Sequence, residues 1–377
     1  MRFPDDVPTL TSGDVILRAH RLEDVDSIVE QCTDPVSVRW TTVPLGYTSD
    51  MAEQWVTKAI PESWETGQEY LFAIEATHHD GRRRFGGSLS LRDEGDRRAE
   101  LAFGAHPGVR GQGVMTTAVN LLLDWGFQDR ELETVLWLAN VGNVASRRVA
   151  WRTGFTFGGT MRRWLVHRGD YLDGWVAALH RDDPRTPTTR WLANPRLATE
   201  NLLLRPFTDN DAPGIAEACG DPRTQHWLAF MPNPYTEADA LSWLASAAER
   251  VSTGEGVWWA VVDPADGQLL ANVGLPRIRR DEGEVGYWAH PAARGRGVVS
   301  EAAAAVVEHA FTPEAAGGLG LRRLTLHAAA ENAASRRVAE VNGFRENGLD
   351  RQAERLGDGT FTDLVRHELL VGEWRST

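Results

Sequence analysis

ELAFGAHPGVRGQG, residues 100–113, returns later in the chain as EVGYWAHPAARGRG, residues 284–297. Each copy reads as a strand that ends in His-Pro, an Arg-Gly-x-Gly turn, and then a run with apolar residues at helical spacing. In the first copy that run carries Val114, Ala118, Leu121, Leu122 and Trp125; in the second, Val298, Ala302, Ala305, Val306 and His309. Gly111 and Gly113, like Gly295 and Gly297, lack a Cβ, so a ligand can approach their backbone closely. The first N–H groups of the following helix have no acceptor within it, and the helix dipole adds positive character there; together they favour a phosphate. Thr116 and Ser300 fall in the first helical turn, within reach of the same anion. One Gly-x-Gly is an ordinary tight turn, whereas two in the same strand–turn–helix setting argue for a binding turn.

The repeat extends over the whole chain. Ile16–Arg18 matches Leu203–Arg205, Asp34-Pro35 matches Asp221-Pro222, and Trp40 matches Trp227, all at an offset of 187 residues. The offset is 184 at Arg110/Arg294 and 189 at Asn143/Asn332, so residues are lost before the second turn and gained after its helix, near 312–320. Such changes belong in surface loops. Residues 181–195 are rich in proline and threonine and read as an exposed linker. The expected organisation is a first domain over 1–183, a linker over 184–195 and a second domain over 196–377. In each copy, strands interleave with helices in the same order, which predicts an α/β fold with a mixed sheet. The strands are expected near 14–18, 70–75, 85–91 and 134–139, and again near 201–205, 257–262, 269–275 and 323–328.

The chain has 377 residues, 42% of them apolar and 25% charged, which suits two globular domains. No apolar run reaches the roughly 20 residues of a membrane span. The N-terminal MRFPDDVP lacks the apolar core of a signal peptide, so a cytoplasmic protein is expected. A net charge of −13 argues against nonspecific nucleic-acid binding and weakly favours a cationic partner such as an amine. Lys58 is the single lysine, which points to coding bias rather than function. Cys32 and Cys219 also stand 187 residues apart, as one small core position used twice, not as a disulfide. No Cys/His spacing suggests a metal site.

With the segments NVASRRVA (143–150) and NAASRRVA (332–339), each followed by Gly-Phe, the chain resembles the GNAT superfamily of acyl-CoA N-acyltransferases. The resemblance is to its RimJ/RimL-type branch and covers each half once. It implies two tandem GNAT-like domains, each a mixed, splayed central sheet flanked by helices, with pantetheine lying between the parted parallel strands. It implies acetyl-CoA as donor, transfer to a primary amine (a protein N-terminal α-amine or a small molecule), and a monomer with pseudo-dimeric halves or a homodimer. Val109, Arg110, Gly111, Gln112, Gly113, Val114 and Thr116 are expected to hold the pyrophosphate in the first half. Ala293, Arg294, Gly295, Arg296, Gly297, Val298 and Ser300 are expected to do so in the second. Arg296 adds a charge there. Asn143 and Asn332 are expected at the pantetheine, while also being natural helix N-caps. Two departures stand out. Gly108 and Ala292 occupy the place where the family pattern opens with Gln or Arg. Ala150 and Ala339 replace the tyrosine that many members use as acid toward the leaving thiolate, leaving Ser146 and Ser335 as the nearest hydroxyls.

Glu100 and Glu284 stand where the superfamily often places its general base. Strand alternation puts Glu100 on a face with Ala102, Gly104 and His106, whose small neighbours leave open space; Glu284 shares its face with Gly286, Trp288 and His290. The competing reading of both glutamates is a structural carboxylate paired with arginine. His106 and His290 read as structural residues of the turn. Trp40/Trp227 and Trp55/Trp243 are matched between halves and expected in the cores, whereas Trp151, Trp164 and Trp175 are unmatched and are candidates to line an acceptor pocket. Three functions remain open: an acetyltransferase for protein N-termini, one for antibiotics or metabolites, and an acyl-CoA-binding protein with one or both halves inactive.

Overall fold

The computed structural model describes residues 7–374, and the chain divides into two compact units at Thr188/Thr189. The first unit contains β1 (Leu10–Ser12), β2 (Val15–Arg18), β3 (Glu69–Thr77), β4 (Arg83–Asp93), β5 (Arg98–Ala105), β6 (Thr134–Asn140), β7 (Thr156–His167) and β8 (Asp170–His180). They form one sheet in the order β1-β2-β3-β4-β5-β6-β8-β7. Its helices are α1 (Val25–Thr33), α2 (Pro35–Trp40), α3 (Ser49–Gln54), α4 (Ile60–Thr66), α5 (Val114–Gln128) and α6 (Val144–Arg152).

The second unit repeats this plan with β9 (Leu197–Ala198), β10 (Leu203–Arg205), β11 (Val257–Val262), β12 (Leu269–Arg279), β13 (Glu282–Ala289), β14 (Arg323–Ala329), β15 (Arg345–Arg355) and β16 (Phe361–Leu370). Their order is β9-β10-β11-β12-β13-β14-β16-β15. Its helices are α7 (Ala212–Gly220), α8 (Pro222–Trp227), α9 (Glu237–Thr253), α10 (Val298–Phe311) and α11 (Ala333–Val341).

Among the described residues only β5/β6 and β13/β14 are parallel, and each needs a helical crossover, supplied by α5 and α10. The apolar stripe of α5 (Ala118, Val119, Leu122, Leu123) packs on Leu89, Leu91, Leu101, Val135 and Trp137 of the sheet. The opposite face is covered by Val25, Ile28 and Cys32 of α1 with Ala52 of α3. In the second unit α10 and α7 take these places. Both cysteines are buried free thiols, and burial pushes them up to about 11 and about 12. Near each start, Arg18 bonds both Asp24 oxygens and Arg205 both Asp211 oxygens, so the matched arginines are the same ion pair used twice.

The segment between the halves is exposed at Pro184 and at 186–189, with packed residues on either side of that stretch. The Arg185 guanidinium stacks over Phe127, Leu192 is buried in the second core, and Pro195 O accepts a hydrogen bond from Trp259 Nε1. Within the segment Leu192 carries the packing, while the prolines and threonines before it stay at the surface.

Candidate active site

Backbone pairing defines a cleft in each unit. β5 and β6 are hydrogen-bonded from Arg98/Thr134 to Leu101/Trp137 and then part, leaving Ala102–Ala105 unpaired on that side. β13 and β14 part after Val285/Leu326. Glu100 and Glu284 each stand one residue before the parting. At the far end of β5 the chain turns through His106–Gly113 into α5. Gly111 and Gly113 both adopt φ +80°, and Gly295 and Gly297 both +76°. A Cβ at any of the four would meet nothing within 4 Å, so these glycines answer to backbone conformation and to the space beside them, not to crowding. The N–H groups at the starts of α5 and α10 lie at this turn. Gly108 has a different cause: a Cβ there would lie 2.2 Å from His78 Nδ1, which accounts for the small residue at the opening of the motif.

The side chains of Arg110 and Arg294 are held by protein groups. Arg110 Nη2 bonds Asp34 Oδ1 at 2.6 Å and Ser37 Oγ at 3.1 Å, and Asp34 caps α2 through the amides of Val36 and Ser37. Arg294 makes the same bonds to Asp221 and Thr224. What these arginines offer at the turn is therefore backbone. Burial pushes the Asp34 and Asp221 carboxyls up, but the arginine and amide bonds outweigh it and hold both below the ordinary aspartate value. Because the folded value is depressed, the stabilisation is complete above the unfolded value and is lost as pH falls through the folded one. Asp34→Ala or Asp221→Ala is expected to lower stability by about 1–2 kcal/mol, from loss of an N-cap and of the arginine's partner, read as a lower denaturation midpoint.

Gln112 is also tied down, its amide 3.0 Å from His79 Nδ1 and 3.1 Å from Gly108 O. Arg296, in the matching place, is exposed, and no ion pair holds it among the described residues. His106 and His290 act within the turn, as expected. His106 Nδ1 accepts from Gly108 N–H at 3.0 Å, so Nε2 carries the proton and faces Glu30 at 3.2 Å. His290 does the same with Ala292 and Glu217.

Glu100 lies in a cross-strand row, directly opposite Arg92, which is opposite Glu69. Arg92 Nη1 is 3.5 Å from Glu100 Oε1, and Glu69 takes a 2.6 Å bond from Ser90 Oγ. Burial raises the Glu100 value; Arg92 opposes this, and Glu94 and Glu69 reinforce it. Glu284 sits 3.2 Å from Arg277 Nε and 3.8 Å from His327 Nδ1. Both glutamates thus have the arginine partner of the structural reading, yet both remain partly exposed at the cleft. Beside Gly104, farther along the same face, the space is taken: a Cβ there would lie 2.9 Å from the Gln31 amide nitrogen of α1. In the second unit Trp288 fills the matching place as core, 7% exposed, against α7 and α9.

Asn143 and Asn332 cap α6 and α11, their Oδ1 accepting from the Ser146 and Ser335 amides at 3.2 and 3.1 Å. The two serines differ in partner. Ser146 Oγ accepts from Trp137 Nε1 at 3.1 Å. The Tyr287 hydroxyl lies 2.8 Å from Ser335 Oγ and 3.1 Å from its carbonyl oxygen. Burial pushes Tyr287 up to about 12, partly offset by the Ser335 bond. The sequence reading missed Tyr287. The signal was present, since the first copy has Phe103 at that place, but the pairing depends on α11 lying over β13. Ala150 and Ala339, where the family tyrosine is absent, are buried in the cores.

Trp175 is fully buried at 0% exposure, which removes it from any acceptor pocket, because β8 is an interior strand. Trp151 is half-buried and Trp164 is 56% exposed. Trp40 and Trp227 are half-buried and outside the cores, contrary to expectation; a Cβ on Gly142 would come within 3.3 Å of the Trp40 ring. The β7–β8 hairpin reaches the end of α2 and the loop after it, where Arg168 Nη2 bonds the Val38 and Val43 carbonyls at 3.1 and 3.0 Å. In the second unit Gly357 N–H reaches His226 O at 2.8 Å. Among the described residues no group of His, Cys, Asp or Glu is arranged to hold a metal, and no helix is long and apolar enough to cross a membrane.

The acetyltransferase (GNAT) domain profile matches this chain twice, at residues 14–156 and 201–345. The putative ribosomal N-acetyltransferase YdaF of Bacillus subtilis is 29% identical over 184 residues, covering 46% of this chain and 94% of that protein. The ribosomal-protein-serine acetyltransferase of Escherichia coli is 33% identical over 94 residues, 24% of this chain and 49% of that one. Among solved structures, Mycobacterium smegmatis RimJ in complex with CoA-disulfide is 20% identical, covers 48% of this chain and 88% of that chain, and has a TM-score of 0.42. Two parted parallel pairs, two glycine turns at helix starts and two matches to one domain lead to one assignment: the chain belongs to the GNAT family, an acyl-CoA-dependent N-acetyltransferase with the domain in tandem.

Proposed function

We propose that each unit binds acetyl-CoA at its glycine turn and transfers the acetyl group to a primary amine, with Glu100 and Glu284 drawing off the amine's proton. The observation that carries this reading is the parting of the parallel strands one residue beyond each glutamate, with a glycine turn at the far end of the same strand. Amides of residues 109–114 and 293–298 would face the pyrophosphate, and the hydroxyls of Thr116 and Ser300 would assist. Asn143 and Asn332 would lie beside the pantetheine. Backbone N–H groups on the unpaired side of β5 and β13 would polarise the thioester carbonyl. Ser146 has its own proton to donate to the leaving thiolate, since Trp137 N–H can only donate to it; in the second unit the Tyr287–Ser335 pair would take that part. The exposed Arg296 favours the second unit as the tighter coenzyme site.

The acceptor class follows from a magnitude. Removing a proton at pH 7 from an alkylamine of pKa about 10.4 costs roughly 4.6 kcal/mol, and from an α-amine of pKa about 7.7–8.0 only about 1–1.4 kcal/mol. Carboxylates paired with arginine are modest bases and suit the α-amine. Transfer to a protein N-terminal α-amine is the leading reading, and the names of the relatives give ribosomal substrates for those proteins; a small-molecule amine is the second. Calorimetry with CoA is expected to find two sites per chain, and mass spectrometry of an amine panel with acetyl-CoA is expected to show faster acetylation of peptide α-amines than of lysine side chains or polyamines. Absence of CoA uptake at millimolar concentration would overturn the enzymatic reading; faster turnover on alkylamines would overturn the α-amine assignment.

A further inference from the structure

His327 is the first residue of β14 beyond its pairing with β13. By alternation it shares a face with Thr325, the direct partner of Glu284, so its ring stands at the mouth of the cleft beside the candidate base. Nδ1 lies 3.8 Å from Glu284 Oε1, and the side chain is 31% exposed. Glu354 of β15 is near enough for the charge on His327 to act on its carboxyl, against the burial that raises it. The first unit has neither group. At the common offset, His327 and Glu354 replace Leu138 and Leu165. The register supports this matching, since Leu138 opposes Val176 as His327 opposes Arg366, and Leu165 opposes Leu172 as Glu354 opposes Thr362. Where the first unit has two leucines, the second has an imidazole at the cleft and a carboxylate within range of its charge. The other charged groups on the strands around His327 are already engaged: Arg366 with Asp350, Arg277 with Glu284, and Arg323 with Glu282 and Glu368.

We propose that in the second unit His327 is the base that meets the acceptor amine, with the Glu284 carboxylate beside its ring favouring the imidazolium as it forms, whereas the first unit works through Glu100 without an imidazole. The proposal rests on the acetyltransferase reading above and deepens it: in the second unit Glu284 serves proton removal through His327 and not by meeting the amine itself. The ammonium gives one proton to Nε2 of His327. The neutral nitrogen forms its bond to the thioester carbonyl carbon as the carbon–sulfur bond breaks. The second proton on that nitrogen passes to the departing sulfur, and the imidazolium returns its proton to water.

The test uses the full chain with Glu100→Gln, which isolates the second unit. In that background His327→Gln is expected to lower kcat by about 100-fold, leave CoA affinity unchanged by calorimetry, and abolish the acid limb of the kcat/KM pH profile. His327→Leu, which installs the first unit's residue, serves if the glutamine variant folds poorly and carries the same expectation. Unchanged kcat and pH profile in a variant that still binds CoA would overturn the role of His327 while leaving the acetyltransferase reading intact. A parent chain that binds no CoA would overturn both.

Discussion

Glu100→Gln combined with Glu284→Gln is expected to lower acetyl transfer by about 100- to 10,000-fold, the usual worth of a positioned base, with CoA affinity changed by less than about twofold. The substitution keeps shape and removes only the charge. Each glutamate is partly exposed and paired with an arginine that itself reaches solvent, so the sheet should hold. The single Glu100→Gln variant leaves the second unit working, and comparing single with double variants apportions turnover between the halves. The pH dependence gives a further check on the first unit. Burial holds Glu100 above the ordinary glutamate value, so its base form is lost, as pH falls, sooner than for a solvated glutamate. Arg92 opposes that shift; Arg92→Gln should therefore move the acid limb to still higher pH. Rates close to wild type in the double variant would return both glutamates to the structural reading.

Gly113→Val together with Gly297→Val is expected to weaken CoA binding at both sites by at least about tenfold, with a smaller loss of stability. The two residues hold φ of +80° and +76°, a region that costs an L-residue about 1–2 kcal/mol and a β-branched one more. A Cβ at either place meets no protein atom within 4 Å, so nothing in the core is displaced. The new side chain instead stands in the space where the phosphates would approach the helix start. Calorimetry with CoA and a denaturation curve on the same sample separate the two effects. Coenzyme binding that survives both substitutions would mean that the turns are not the phosphate site.

The features that could be read directly are the local ones. The strand–turn–helix unit, its glycine turn and the asparagine caps each depend on residues within a few positions of one another, and the duplication on the recurrence of such local motifs, so spacing alone carries them. Where long-range packing mattered, composition misled. Residues 184–195 read as a linker because of their prolines and threonines, and 186–189 are exposed, but composition gave no sign that Leu192 is core. Trp175 read as a pocket wall because it lacked a counterpart, yet its strand is interior. Gly104 suggested an opening that Gln31, far away in sequence, fills.

The amino-acid order by itself determined that this protein has two domains of one kind, each with a glycine turn at a helix start and a glutamate on the strand before it. Only the tertiary structure decided what stands beside those groups. It sends Arg110 and Arg294 back to cap-forming aspartates, gives Ser146 a tryptophan and Ser335 a tyrosine, and places His327 against Glu284 where the first unit has leucine. The reason is physical: neighbours within a helix or turn are set by the chain's own bonds, whereas neighbours across strands and between helix and sheet are set by register and packing that no single segment specifies.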